Sequence, residues 1–116
     1  AISSARDLYP KGNVTVVFQP HTFSRTHALF NEFVAALSLA DRVILVPIYA
    51  AREENESGIG SHQIAEALAV HQKDAKYFHT LDAAAEEVKE TAGKGDVVIV
   101  MGAGDVTSVS ERILNK

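Results

Sequence analysis

The chain has no cysteine, which excludes disulfides, thiolate nucleophiles and thiolate-bound metals. Its five histidines lack the close pairing of a zinc site. No apolar run approaches the roughly 18 residues of a membrane span, and the N-terminus shows no basic-then-apolar signal pattern. A cytoplasmic protein with no membrane partner is expected. Basic residues are outnumbered, eleven Lys and Arg against fifteen Asp and Glu for a net charge of −4, and they are scattered. No electrostatic footprint for nucleic acid results. The sequence "GxxxxGK[ST]" occurs nowhere, so there is no phosphate-cradling P-loop, and no repeat or low-complexity segment interrupts the chain.

What remains is a length and composition suited to one compact core. With 116 residues, 47% hydrophobic and 22% charged, residues 1–116 are expected to form a single domain. Residues 2 to 9 read as the tail of a helix, with Ile2, Ala5 and Leu8 on one face and "YPKGN" as its stop. Val14 to Phe18 and "RVILVPI" at 42 to 48 are apolar, β-branched runs of the kind buried on both faces of a parallel sheet. "AKYFHT" is a weaker third strand, and "VVIVMGAG" from 97 is a fourth. Apolar spacings of three and four predict helices between them. One spans about 26 to 39, with Leu29, Phe30, Phe33, Val34 and Leu37 inward. A second, capped by Ser61, spans 62 to 72 with Ile64, Ala65, Leu68 and Ala69 inward. A third opens at Thr80 or Asp82, carries Leu81, Ala85 and Val88, and ends at Gly93. A last helix starts at Asp105.

Strands alternating with helices predict an α/β fold: a three-layer, Rossmann-like domain on a mostly parallel sheet of about four to six strands. Order 3-2-1-4 makes the first and fourth strands neighbours where the winding reverses, so their carboxyl ends form a crevice. The loops leaving those ends, "QPHTFSR" and "GAGD", would set His21, Ser24 and Arg25 opposite Gly102 to Asp105.

His21 and Arg25 are four apart. If the helix begins near Thr22 they share a face and could converge on a carboxylate or phosphate, or else be solvated helix-start residues. Gly102 and Gly104 permit close backbone approach, but the third glycine of a dinucleotide fingerprint is missing. "REENES" from Arg52 reads as a solvated loop face. His27, His62, His71 and His79 read as surface residues rather than ligands. A phosphate- or nucleotide-binding α/β module stays open on this reading. A receiver-like module does not, because Gln19, Pro20 and Thr80 stand where a phosphoacceptor site requires acids.

"VVFQPHTFSRT", "IYAAREENESGIGS" and "VIVMGAGDVTSVSERIL", in this order and at these separations, closely resemble the C-terminal domain of the Mur ligases of bacterial peptidoglycan synthesis, in particular those that add L-alanine to UDP-N-acetylmuramate. The resemblance covers nearly the whole chain. Murein-peptide recycling ligases, the alternative within the family, look different at the first element. The resemblance implies a three-domain ligase dependent on ATP and Mg2+. Its N-terminal domain holds the UDP-sugar, its central domain holds ATP, and its C-terminal domain positions the amino acid and closes on the nucleotide. The present chain is then expected to be an excised C-terminal domain, inactive alone and binding no cofactor alone.

Carried over by position, His21 and Arg25 would meet the amino acid and its carboxylate, with Thr22 and Ser24 beside them. Tyr49, Glu53, Gly102, Gly104 and Asp105 would form the crevice rim. No residue is assigned to a metal. Thr22 departs from the pattern, since many family members carry a second basic residue there.

Overall fold

A computed structural model describes residues 2, 7, 8, 12–55, 57–71, 73–93 and 96–102. Among these, β1 (Val14–Gln19), β2 (Arg42–Leu45), β3 (Asp74–Tyr77) and β4 (Val97–Gly102) form one sheet in the order β3-β2-β1-β4. All three pairings are parallel, with Val16 opposite Val43 and Ile99, and Val43 opposite Ala75. The expected order is therefore found. Among the described residues, the helices α1 (Phe23–Ala28), α2 (Phe30–Leu37), α3 (Ser61–Val70) and α4 (Leu81–Thr91) connect or flank the strands.

Strand side chains alternate between faces, and β1 and β2 are buried on both faces apart from half-buried Arg42. Val14, Val16, Phe18, Val43 and Leu45 join Leu37 of α2 and Ile64, Ala65 and Leu68 of α3 in one cluster. The other face carries Val17, Ile44 and Val46 against Ala84, Ala85 and Val88 of α4. The sheet thus lies between two helical layers. Phe33 of α2 reaches the ring of Phe18 at 5.2 Å between centroids. β3 is an edge, and its exposed Asp74 and Lys76 pair with Arg42 and Glu87 at 2.9 Å each. Charges on an edge discourage pairing with another chain.

Several boundaries differ from the expectation. The helix predicted over 26 to 39 is two helices, α1 beginning three residues earlier and α2 following a break at Leu29 (φ −108°, ψ 19°). Phe30, Phe33 and Val34 pack on the core as expected, whereas Leu29 marks the break. Gly60, not Ser61, is the N-cap of α3; its N–H donates to Gln63 Oε1 at 2.9 Å. A Cβ built on Gly60 would lie 2.6 Å from the His62 ring, so only a glycine leaves that ring where it is. Ala69, predicted inward, is exposed, because the face that α3 buries runs through Ser61, Ile64, Ala65 and Leu68. Thr80 caps α4 as predicted, its Oγ1 accepting from Ala83 N–H at 3.1 Å. The C-cap is Ala92, in an extended conformation, and Gly93 instead donates its N–H to Asp96 Oδ2 at 2.7 Å.

The expected helix from Asp105, the rim residues Gly104 and Asp105, and much of the expected N-terminal helix lie outside the described residues. Among the described residues, no helix is long and apolar enough to cross a membrane.

Candidate functional site

The carboxyl ends of β1 and β4 meet, with Gln19 opposite Gly102. Gly102 has φ +141°, a conformation open to glycine and to few other residues. At this end the chain leaves β1 through Pro20, which has no N–H to donate to the ladder. Pairing resumes one residue later, on the other side. Tyr49 N–H donates to Pro20 O at 2.9 Å and Thr22 N–H to Tyr49 O at 2.8 Å, a parallel bridge that sets His21 opposite Tyr49. The two rings stack, with centroids 5.7 Å apart and planes at 16°. The loop after β2 is thereby tied to the loop after β1.

Helix α1 begins from this tie. Thr22 is its N-cap, with Oγ1 accepting Arg25 N–H at 3.3 Å, while Thr26, fully buried, donates its hydroxyl to Thr22 O at 2.7 Å. His21 therefore precedes the helix, and its place comes from Tyr49 rather than from a shared helical face with Arg25. Thr22 sits at φ 61°, ψ 150°, a region that is essentially glycine's alone.

Ala51 and Arg52 also have positive φ, 51° and 73°. With Glu53 N–H donating to Ala50 O at 2.9 Å, they are the two central residues of a tight turn of the kind that usually takes Asn and Gly. Among the described residues, Thr22, Ala51 and Arg52 are the non-glycine residues with positive φ, and all lie here. Each such residue costs on the order of 1–3 kcal/mol. Strain of this kind persists where surrounding contacts over-determine it, and it tends to cluster at functional sites.

The turn delivers Glu53 to α1. Glu53 Oε2 accepts the Ser24 hydroxyl at 2.6 Å, and Oε1 accepts Ser24 N–H at 2.9 Å. The Ser24 hydroxyl, then the Ser24 N–H, hold the Glu53 carboxyl below its ordinary range, with a weaker pull from the charge of His21. The carboxylate thus satisfies one of the amide groups left open at a helix start. Thr22 Oγ1 satisfies the next. The first amides of α1 are consequently engaged within the chain, and an incoming anion would be met by side chains instead. Arg25 is exposed and His21 half-exposed, so both are free to do so.

The structure brings together His21, Thr22, Ser24, Tyr49 and Glu53 through hydrogen bonds and one ring stack, sets Arg25 directly after Ser24, and leaves Gly102 at the neighbouring strand end. Glu53, read within a solvated loop face, is instead bound at both oxygens. Beside it is an open hollow of about 420 Å³ lined by Phe23, Ser24, His27, Glu53, Glu54 and Ser57. His27, His62, His71 and His79 are exposed. Among the described residues no three His, Asp or Glu side chains converge as metal ligands.

Comparison with known proteins bears on this arrangement. The family model described as "Mur ligase, glutamate ligase domain" matches residues 1–104. The UDP-N-acetylmuramate–L-alanine ligase of Caldicellulosiruptor saccharolyticus is 48% identical over 106 residues, 91% of this chain and 23% of that protein. The ligase of the same name from Lachnoclostridium phytofermentans is 44% identical over 108 residues, 93% of this chain and 23% of that protein. The chain therefore spans about a quarter of the length of these relatives. In structure it is similar to the UDP-N-acetylmuramate–alanine ligase of Thermotoga maritima, with a TM-score of 0.69 at 23% identity, over 97% of this chain and 22% of that one; this likeness concerns the fold. A parallel 3-2-1-4 sheet, a crevice at its carboxyl end and a family match over nearly the whole length place this chain in the Mur ligase, glutamate ligase domain family.

Proposed function

We propose that this chain is the amino-acid-positioning C-terminal domain of a cytoplasmic ligase that joins L-alanine to UDP-N-acetylmuramate in peptidoglycan synthesis. One observation carries the reading. The two segments that most resemble the family, "FQPHTFSRT" and "IYAARE", are tied into one crevice wall by the Tyr49 bridge and the Glu53–Ser24 pair. The names of the two relatives, at 44% and 48% identity, favour L-alanine over a murein-peptide recycling substrate.

In this reading ATP with magnesium, held by the central domain of the same chain, supplies the driving force by activating the muramoyl carboxylate as an acyl phosphate. The residues described here fit the amino acid and offer neither a P-loop nor a metal-ligand group. Arg25 meets the alanine carboxylate with a guanidinium fork that matches two oxygens. His21, held flat against Tyr49, faces the same molecule, with Thr22 and Ser24 beside it. Tyr49, Glu53 and Gly102 form the rim, which Gly104 and Asp105 are proposed to continue. Holding the amine close to the acyl carbon converts a bimolecular encounter into an oriented one, and the amine then displaces phosphate through a tetrahedral adduct stabilised by nearby cations.

The test is a phosphate-release assay on the full-length ligase that contains this domain, with ATP, magnesium, UDP-N-acetylmuramate and a panel of amino acids. L-alanine should give the highest kcat/KM. Preference for another amino acid, or for a peptide, would overturn the reading. The 116-residue chain alone should release no phosphate above background, because no P-loop lysine cradles the β- and γ-phosphates.

A further inference from the structure

We propose that Glu53 is a positioning residue for the amino acid: by clipping Ser24 it fixes the segment that carries His21 and Arg25. The inference rests on the assignment of this crevice to the amino acid. The segment from Pro20 to Ser24 is held at two points. At one end Tyr49 exchanges backbone hydrogen bonds with Pro20 and Thr22 at 2.9 and 2.8 Å. At the other, Glu53 accepts both donors of Ser24 at 2.6 and 2.9 Å. His21 lies within the first tie, and Arg25 follows the second directly.

The clip is better suited to fixing geometry than to stabilising the fold. Ser24 is exposed, and exposed polar pairs add little to stability. Yet the carboxylate is delivered by a turn held at positive φ on two successive residues without glycine, Ala51 and Arg52. A second consequence points the same way. Glu53 engages Ser24 N–H, and Thr22 Oγ1 engages Arg25 N–H. The substrate carboxylate is thus left to side chains, chiefly Arg25, whose base the clip locates. A shift of the order of 1 Å at such a base is enough to matter for a fork-shaped contact.

The test is a double-mutant cycle in the full-length ligase. Ser24→Ala removes one of the two bonds, Glu53→Gln removes the charge and one acceptor, and the double variant removes both partners. Each single change should raise the KM for the amino acid about tenfold, the scale of one hydrogen bond to a charged group. The values of kcat and KM for ATP should stay within about twofold, the signature of lost binding rather than lost chemistry. The double variant should be no worse than the weaker single one, because the two share one contact. Lys76→Ala, on the far edge of the sheet, sets the background variation. Unchanged amino-acid KM in both single variants would overturn the proposal, as would effects that multiply in the double variant or a parallel loss in kcat and in ATP binding. If the wild-type enzyme uses an amino acid other than L-alanine, the proposed substrate is wrong, and the same cycle run with that amino acid decides Glu53 separately.

Discussion

The imidazole of His21 lies 5.7 Å from the phenol ring of Tyr49, the planes 16° from parallel, although the two residues leave different strands. The stack fixes the ring of a residue whose backbone has just left the sheet. An aromatic pair of this kind is worth about 0.5–1.5 kcal/mol. Tyr49→Ala in the full-length ligase should therefore raise the KM for alanine by roughly twofold to tenfold, and Tyr49→Phe, which keeps the ring, by less. Equal effects of the two changes would show that the hydroxyl, not the stack, matters.

Arg25 is exposed at the start of α1, and its guanidinium is expected to grip the alanine carboxylate. A hydrogen bond to a charged group is worth about 1.5–3 kcal/mol, so Arg25→Ala should raise the KM for alanine roughly tenfold to a hundredfold. The KM for ATP should change far less. Arg25→Lys should recover only part of the loss, since an ammonium lacks the fork. A solvated arginine at a helix start predicts no alanine effect and a stability change within about 0.5 kcal/mol. Steady-state kinetics with alanine varied separates the two.

Arg52 is exposed, with φ 73°, a conformation that costs an L-residue roughly 1–2 kcal/mol. Glycine has no such cost but loses more backbone freedom on folding. Arg52→Gly should stabilise the chain by about 0.5–1 kcal/mol and raise the Tm by a few degrees. A fall in Tm on thermal melting would mean that the side chain contributes a contact that outweighs the strain.

Glu53 titrates below its ordinary value of 4.5, chiefly through the Ser24 hydroxyl and then the Ser24 N–H. A carboxyl whose folded pKa is depressed contributes stability that is fully present above the unfolded value and is lost as pH falls through the folded one. The stability advantage of wild type over Glu53→Gln should accordingly be constant from neutral pH down to about 5 and shrink below 4.5. Denaturant titrations at a series of pH values check this. An advantage that disappears between pH 6 and 7 would assign it to a histidine instead.

The sheet order was legible because β1 and β2 are unbroken apolar runs that must be covered on both faces, which few topologies permit. The break at Leu29 was not. Leu29 N–H still bonds Arg25 O and Phe33 N–H still bonds Leu29 O, so the spacing of apolar residues runs through the break unchanged. Ser61 invited assignment as a cap because serine favours that position, but the extended residue is Gly60. At the site, His21 and Arg25 could be singled out from their own segment. The contact of Glu53 with Ser24 could not, because the two lie 29 residues apart and an acidic run reads as solvated by default. Positive φ at Thr22, Ala51 and Arg52 left no trace either, since none is a glycine.

The Tyr49 bridge also constrains how such a domain could be re-engineered for a different amino acid. The rung at His21 and Tyr49 lies beyond Pro20 and is shifted by one residue from the β1–β2 register, in which Phe18 faces Leu45, so the side on which the imidazole stands depends on the lengths of both connecting segments. An insertion of one residue between Phe18 and His21 would turn that ring away from the crevice while leaving the hydrophobic core intact. Loop grafting would have to carry residues 20–24 and 49–53 as a matched pair, with both lengths preserved. Either segment transplanted alone would meet a partner in the wrong register.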